Sequence, residues 1–217
     1  IRAPGERPMR EEEMTITVPG GERKQVPVMW VHTLIIGSGA AGLNAALQLY
    51  RSGIQDLCIV SEGLQKGTSI NTGSDKQTYY KLAICGEDTD APRVMAENYM
   101  AGGSMHGDLA LVEAGTSARA FVNLVNIGVP SPQDAYGQFV GYKTDHDPRQ
   151  RATSIGPYTS REMCKALIQE VQRTGIPIRQ NRLAAGLITL GEADSRRAAG
   201  AVVLDEEGEL EVYAAEN

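Results

Sequence analysis

The sequence predicts an α/β protein with a central parallel sheet and an antiparallel β-meander, and three observations predict it. An apolar run at 28–36 enters the glycine-rich stretch Gly37-Ser38-Gly39-Ala40-Ala41-Gly42. A helix-spaced segment follows, and then a second short apolar run, Leu57-Cys58-Ile59-Val60. Beyond residue 175, short apolar runs alternate with Gly, Asp and Glu turns. Strand, turn, helix and strand in that order make a parallel βαβ unit. The closing runs read as strands joined by tight turns.

Taken in order, residues 1–13 are a polar arm rich in Pro, Arg and Glu, expected to be loose unless docked. Residues 14–29 alternate around Pro19-Gly20-Gly21-Glu22, a hairpin signal. One strand is expected over 28–36. A helix is expected over 40–52, with Leu43, Leu47 and Tyr50 on one face and Gly53 as its stop. Residues 63–74 read as a loop of Gly, Thr, Ser and Asn, and helices follow at 92–100 and 108–127, the latter with Asp108 as N-cap. The long stretch 130–156 is irregular, which in a compact domain usually has a functional reason. A helix at 159–174 carries Thr159 and Glu162 at capping-box spacing. The meander is expected from strands at 176–180, 185–190, 200–204 and 210–214.

Composition narrows the function. In 217 residues, 41% are hydrophobic and 22% charged, an ordinary globular balance. The net charge of −6 gives no electrostatic footprint for nucleic acid or an anionic membrane surface. No run approaches the roughly 18 apolar residues of a membrane span. Three scattered cysteines, Cys58, Cys85 and Cys164, lack CxxC spacing, which disfavours a disulfide framework or a metal or iron–sulfur site made by this chain. Cys58 reads as a small buried hydrophobe. A reducing, cytoplasmic setting fits this usage best.

The chemistry concentrates in the glycine run. In GxGxxG, Gly37 allows the tight turn, Gly39 lets backbone approach a diphosphate, and Gly42 lets the helix lie against the strand. The diphosphate would sit on free amides at the positive end of the helix beginning at Ala40. Such a dinucleotide site needs a polar group at the end of the second strand for a ribose, where Ser61 and Glu62 stand, and Glu62 is the better partner for a 2′-hydroxyl. The competing reading is a glycine turn in some other α/β protein. The fingerprint alone does not separate FAD from NAD(P). The loop Gly67-Thr68-Ser69-Ile70-Asn71-Thr72-Gly73-Ser74 offers donors to a flavin and its phosphates, although by composition alone an ordinary surface loop is the better reading.

Four stretches in this order, 34–46, 61–74, 156–167 and 199–217, resemble the fumarate reductase/succinate dehydrogenase flavoprotein superfamily over most of 31–217. The resemblance implies a Rossmann-like FAD-binding domain at 31–217, preceded by an arm and hairpin at 1–30. It places Gly37, Ser38, Gly39, Ala40, Ala41 and Gly42 on the diphosphate, and Ser61 or Glu62 on the adenosine ribose. It puts Gly67, Thr68, Ser69, Thr72 and Gly73 along the flavin, and the backbone of Ala184 at the adenine. Respiratory members attach FAD through a histidine in the flavin loop. Here no histidine occurs between His32 and His106, and Thr68 or Ser69 stands in its place, which implies non-covalent FAD.

The implied reaction passes a hydride between FAD and an activated carbon–carbon bond beside a carboxylate or carbonyl. A separate electron donor or iron–sulfur partner protein would supply electrons, and the substrate would be a small carboxylate-bearing molecule. Alternatives are an L-aspartate-type flavin oxidase, a non-catalytic flavin-holding or electron-relaying subunit, and an NAD(P)-binding protein without flavin. In the family, a further strand and a capping domain follow, carrying the arginine and histidine groups that hold a dicarboxylate and deliver a proton. On that reading this chain is an incomplete part of a longer flavoprotein, inactive alone, with a sheet edge left open.

Three further candidates stand apart. Asp145, His146, Asp147, Arg149 and Arg151 in the long loop could face a carboxylate, but read better as a solvated charged loop. His106 reads as structural rather than flavin-facing. Asp75 with Lys76 is either a surface pair or a cation tuning the flavin.

Overall fold

A computed structural model describes residues 9–17, 20–74, 77–87 and 89–217. The first eight residues of the predicted arm, Pro19 of the hairpin turn, and the Asp75–Lys76 pair lie outside the described residues. The chain divides into two compact units: 1–71 with 168–217, and 72–167.

In the first unit, strands β1 (Arg10–Thr17) and β2 (Arg23–Val31) form the predicted antiparallel hairpin, with Thr17 opposite Arg23. Residues 10–13, expected in the loose arm, are paired in β1. The strand expected over 28–36 is in fact two. It breaks at His32, whose amide donates to the Asp56 carboxylate (3.0 Å) and whose carbonyl accepts from the amides of Glu216 and Asn217. Strand β3 (Thr33–Ile36) then enters a second sheet. A continuous apolar run hides this change of partner, because every residue across it can be buried on one face or the other.

The second sheet is the predicted parallel core. Helix α1 (Ala40–Arg51) connects β3 to β4 (Leu57–Val60), and the two strands pair in parallel from Thr33 opposite Leu57 to Ile36 opposite Val60. Leu43, Ala46 and Leu47 are the buried face of α1, at the helical spacing visible in the sequence. Tyr50 is only half-buried. Beyond β4 the expected loop contains one helical turn, α2 (Thr68–Asn71), anchored by buried Ile70.

The second unit holds β5 (Tyr79–Tyr80), α3 (Pro92–Ala101), α4 (Gly107–Asn126) and β6 (Ala152–Thr153). Helix α4 begins one residue earlier than expected. His106 is its N-cap, without a side-chain bond, and Asp108 lies in its first turn. The stretch 130–156 is irregular as expected, apart from β6 and a bridge between Tyr142 and Ala152. Helix α5 (Thr159–Thr174) carries the chain back into the first unit. Its capping box does not form: the Thr159 hydroxyl donates to the Gly156 carbonyl (2.8 Å) and accepts from the Ile155 amide, while the Glu162 carboxylate bonds Lys165.

Of the four strands expected in the meander, the first, β7 (Ile178–Arg179), instead joins the parallel sheet beside β4. The remaining three, β8 (Leu183–Leu190), β9 (Arg197–Leu204) and β10 (Leu210–Ala215), form the antiparallel meander. Strand β10 also pairs in parallel with β2, giving the order β1-β2-β10-β9-β8. The two sheets of this unit share one core. Met29 and Val31 from β2, Cys58 and Val60 from β4, Ala201 and Val203 from β9, and Tyr213 from β10 are all buried together. Burial pushes the Cys58 thiol up to about 11, as suits the buried hydrophobe expected there.

Candidate functional site

The glycine turn is built as the spacing requires. Gly37 has φ +97°, a left-handed conformation that strains any residue with a Cβ, and its amide donates to the Val60 carbonyl at 2.8 Å. This bond extends the β3–β4 ladder to the mouth of α1. At Gly42 a Cβ would stand 2.2 Å from the Gly37 carbonyl oxygen, so only glycine lets the helix lie this close to the turn. Gly39 is the N-cap of α1, in extended backbone and with no side-chain cap. The Ala40 amide reaches the Ser69 hydroxyl at 3.4 Å. Amides in a first helical turn have no acceptor within the helix, and no acidic residue stands in the first turn of α1 to offset its positive end. Apart from the Ala40 amide, the first-turn donors have no partner within the helix, and with the positive dipole end they suit a diphosphate.

The end of β4 supports the turn. Ser38 and Ser61 are buried with their hydroxyl oxygens 2.7 Å apart, and Ser38 donates to the Gly63 carbonyl. The Gly63 amide in turn donates to the Ser61 hydroxyl at 3.2 Å. The Ser61 side chain is thus committed inside the protein, whereas Glu62 beside it is exposed. Residues 179–182 are laced to the same strand end: the Ser61 amide donates to the Arg179 carbonyl, the Arg182 amide to the Ser61 carbonyl, and the Leu64 amide to the Gln180 side chain. Arg182 is fixed by a two-pronged pair with Glu211 (2.8 and 2.9 Å). Ala184 follows at the start of β8, half-buried and opposite Val203.

The flavin-loop residues divide between the units. In the first, a Cβ on Gly67 would meet the Cα of Gly39 at 4.0 Å, so the loop backbone runs beside the glycine turn. Ser69 is half-buried and Thr68 exposed. Asn71 braces the turn from below, its amide donating to the carbonyls of Gln65 and Gly67. Thr72 and Gly73, both exposed, open the second unit. A Cβ on Gly73 would stand 2.9 Å from the Tyr158 ring, and the Ser74 amide donates to the Pro157 carbonyl.

The reading of 145–151 as a solvated loop holds for Asp145 and His146, which are exposed, and is overturned at Asp147 and Arg151. Arg151 is fully buried and grips both carboxylate oxygens of buried Asp90 (2.7 and 2.8 Å), with Asn98 and Asp147 also in contact. Its guanidinium is consumed internally, so it has no fork to offer a substrate carboxylate. Nothing in local spacing pairs Arg151 with Asp90. Sequence reasoning also missed Lys81, fully buried with its amine 4.8 Å from the centre of the Phe121 ring. Its place inside the apolar run Tyr79-Tyr80-Lys81-Leu82 was the available signal. His106 is exposed at the start of α4, where no partner shows a role for it.

A glycine turn between parallel strands, opening a helix with uncovered amides, defines an α/β dinucleotide-binding protein. Residues 32–217 match the family described as FAD binding domain, and the chain belongs to that family. FAD is therefore its cofactor, and the residues of the turn fit that group. No curated protein matches the chain.

Solved structures share the fold. They include Mycobacterium smegmatis Sdh1 in complex with UQ1 (TM-score 0.72, 18% identity, 87% of this chain and 33% of that one). An E. coli quinol fumarate reductase FrdA variant has TM-score 0.72 and 17% identity over 87% of this chain and 32% of its own. A 3-ketosteroid-delta4-(5alpha)-dehydrogenase from Rhodococcus jostii RHA1 has TM-score 0.67 and 17% identity over 86% of this chain and 44% of its own. The chain spans about a third of the length of the first two. Among the described residues, no helix is long and apolar enough to cross a membrane.

Proposed function

We propose that this chain is the FAD-holding part of an oxidoreductase of the fumarate reductase type. It would pass a hydride between FAD and an activated carbon–carbon bond next to a carboxylate or carbonyl. The observation that carries the reading is the turn at Gly37, Gly39 and Gly42 in a chain of the FAD-binding family. When bound, FAD supplies the redox chemistry, and the protein supplies position and electrostatics.

The amides of Ala40, Ala41 and Gly42 would take the diphosphate. Glu62 would take the adenosine ribose, because the Ser61 hydroxyl is already engaged with Ser38 and Gly63. The backbone at Ala184 would meet the adenine, and Gly67, Thr68, Ser69, Thr72 and Gly73 would line the flavin. With Thr68 or Ser69 where a linking histidine would stand, FAD would be held without a covalent bond. Fumarate reductases and a steroid dehydrogenase among the structures of like fold support a carboxylate- or carbonyl-activated substrate. A separate electron donor, such as an iron–sulfur protein, and a reducing cytoplasmic setting complete the proposal.

The test is direct. Purified protein should be yellow, and acid precipitation should release all of the flavin into the supernatant. Dithionite-reduced protein in the context of its full parent polypeptide should be reoxidised anaerobically by fumarate or by a conjugated enone. A colourless protein, or flavin that stays with the acid pellet, contradicts the cofactor part. Reduced flavin indifferent to both acceptors contradicts the reaction.

A further inference from the structure

A cleft of about 330 Å³ opens in the second unit, with Tyr80, Asn98, Tyr99, Glu113, His146 and Asp147 among its lining residues. Its size is that of a small-molecule site. The FAD reading uses none of these residues, and the inference does not rest on that reading.

The charges around the cleft do not balance. Arg151, wholly enclosed behind the lining residues Tyr80, Asn98 and Asp147, supplies the nearby positive charge. Its Nε and Nη2 hold Asp90, and its Nη1 reaches Asn98 Oδ1 (2.9 Å), the Tyr80 hydroxyl (3.2 Å) and Asp147 Oδ1 (3.3 Å). One guanidinium thus faces two carboxylates, and Glu113 adds a third. The Asp147 side chain is 4% exposed; its Oδ1 accepts from the Arg149 amide (2.9 Å) as well as from Arg151, the Tyr80 hydroxyl lies beside the carboxylate, and its Oδ2 is left without a donor in hydrogen-bond geometry. A buried carboxylate oxygen left without a donor is costly, and it leaves negative potential in the wall. The same field acts on Tyr99, whose hydroxyl donates to Glu113 (3.3 Å) and is held well above its ordinary range by burial and then by the Glu113 charge.

This environment repels carboxylates and attracts cations. The rings of Tyr80 and Tyr99, with centroids 5.6 Å apart and tilted by 42°, add aromatic surface whose quadrupole favours a soft cation. Among the described residues, no cluster of three His, Cys, Asp or Glu side chains is placed to hold a metal ion. An organic cation fits better than an inorganic one.

We propose that this cleft binds a small organic ammonium ion, with Glu113 and Asp147 as its counter-charges and Tyr80 and Tyr99 as its aromatic walls.

Calorimetric titration of the FAD-loaded protein with n-butylammonium chloride tests this, with n-butanol and sodium butyrate as matched uncharged and anionic probes. Butylammonium should bind saturably, with a dissociation constant on the order of a millimolar. Butanol should bind at least tenfold more weakly, and butyrate should not bind. Glu113→Gln, a change at an exposed position, should weaken butylammonium at least fivefold, and Tyr99→Leu should weaken it further. The flavin spectrum of each variant reports the fold and the FAD site separately. No saturable heat from butylammonium overturns the proposal, as does unchanged affinity in a folded Glu113→Gln variant or tighter binding of butyrate.

Discussion

Ser38 and Ser61 stand with their hydroxyl oxygens 2.7 Å apart, both buried, and so tie the glycine turn to the end of the second parallel strand. This pair separates two roles that neighbouring residues could share. Ser61→Ala removes one hydroxyl and leaves the Gly63 amide without its side-chain acceptor. Stability should fall by about 1–2 kcal/mol in chemical denaturation. Glu62→Ala should leave stability unchanged and weaken FAD by about tenfold to a hundredfold, read from flavin fluorescence during titration of apoprotein. The reverse pattern would assign the ribose to Ser61.

Gly42→Ala places a methyl 2.2 Å from the Gly37 carbonyl, so helix and turn must part. Overpacking of this kind costs about 1–3 kcal/mol. Because the displaced backbone is the one proposed to face the diphosphate, FAD occupancy of the purified protein should drop well below half. Gly115→Ala, in α4 where an added Cβ meets nothing, should leave both readouts intact.

The buried Arg151–Asp90 pair predicts an asymmetric mutant cycle. Arg151→Met leaves two buried carboxylates without their counter-charge and should destabilise by about 3–5 kcal/mol. Adding Asp90→Leu should recover a large part of that loss, since the uncompensated charge rather than the missing bond carries most of the cost. Thermal melts of the three variants measure it.

Two buried groups give stability slopes that both rise with pH, in different windows. Burial pushes Asp90 up, but Arg151 and the amides of Ala83 and Ala91 more than offset this and hold its carboxyl below the usual range. Its contribution is complete above the unfolded value of about 3.9 and fades as pH falls through the lower folded value. Lys81 is lowered by burial, so the unfolded chain holds its proton more tightly than the native one. Stability from this group rises as pH climbs through the folded value towards about 10.4. Cys58 and the buried tyrosines Tyr80, Tyr99 and Tyr213, whose protons the native chain holds more tightly, pull stability down over the same range. The Lys81 contribution is therefore read as a difference in denaturation across pH. Lys81→Met should be more stable than the parent at pH 7 by roughly 1 kcal/mol or more, and this advantage should shrink as pH climbs towards about 10.4.

Much of this molecule was legible in its residues, and the limits have physical causes. The βαβ unit could be read because Gly37 and Gly42 are demanded by backbone geometry that no other residue satisfies as well. Helix α1 could be read because Leu43 and Leu47 follow a local period. The break at His32 could not, because Asp56, Glu216 and Asn217 make it from far along the chain. Strand β7 was misassigned to the meander for a similar reason: only Ile178 and Arg179 pair with β4, and two residues do not say which sheet they enter. Arg151 looked solvated because its segment is polar, while its partner Asp90 lies sixty-one positions away. The proposal of Glu62 over Ser61 for the ribose rests on the position of the Ser38 hydroxyl, which local sequence does not give.

The parallel pairing of β2 with β10 joins Val28 to Val212, so the inner edge of the amino-terminal hairpin is completed by a strand made about 180 residues later. During synthesis that edge stays uncovered while the whole second unit emerges. A nascent chain halted anywhere between residues 72 and 209 would carry an unpaired strand able to recruit another chain, and this hairpin would be the place where ribosome-bound chaperones have most to shield.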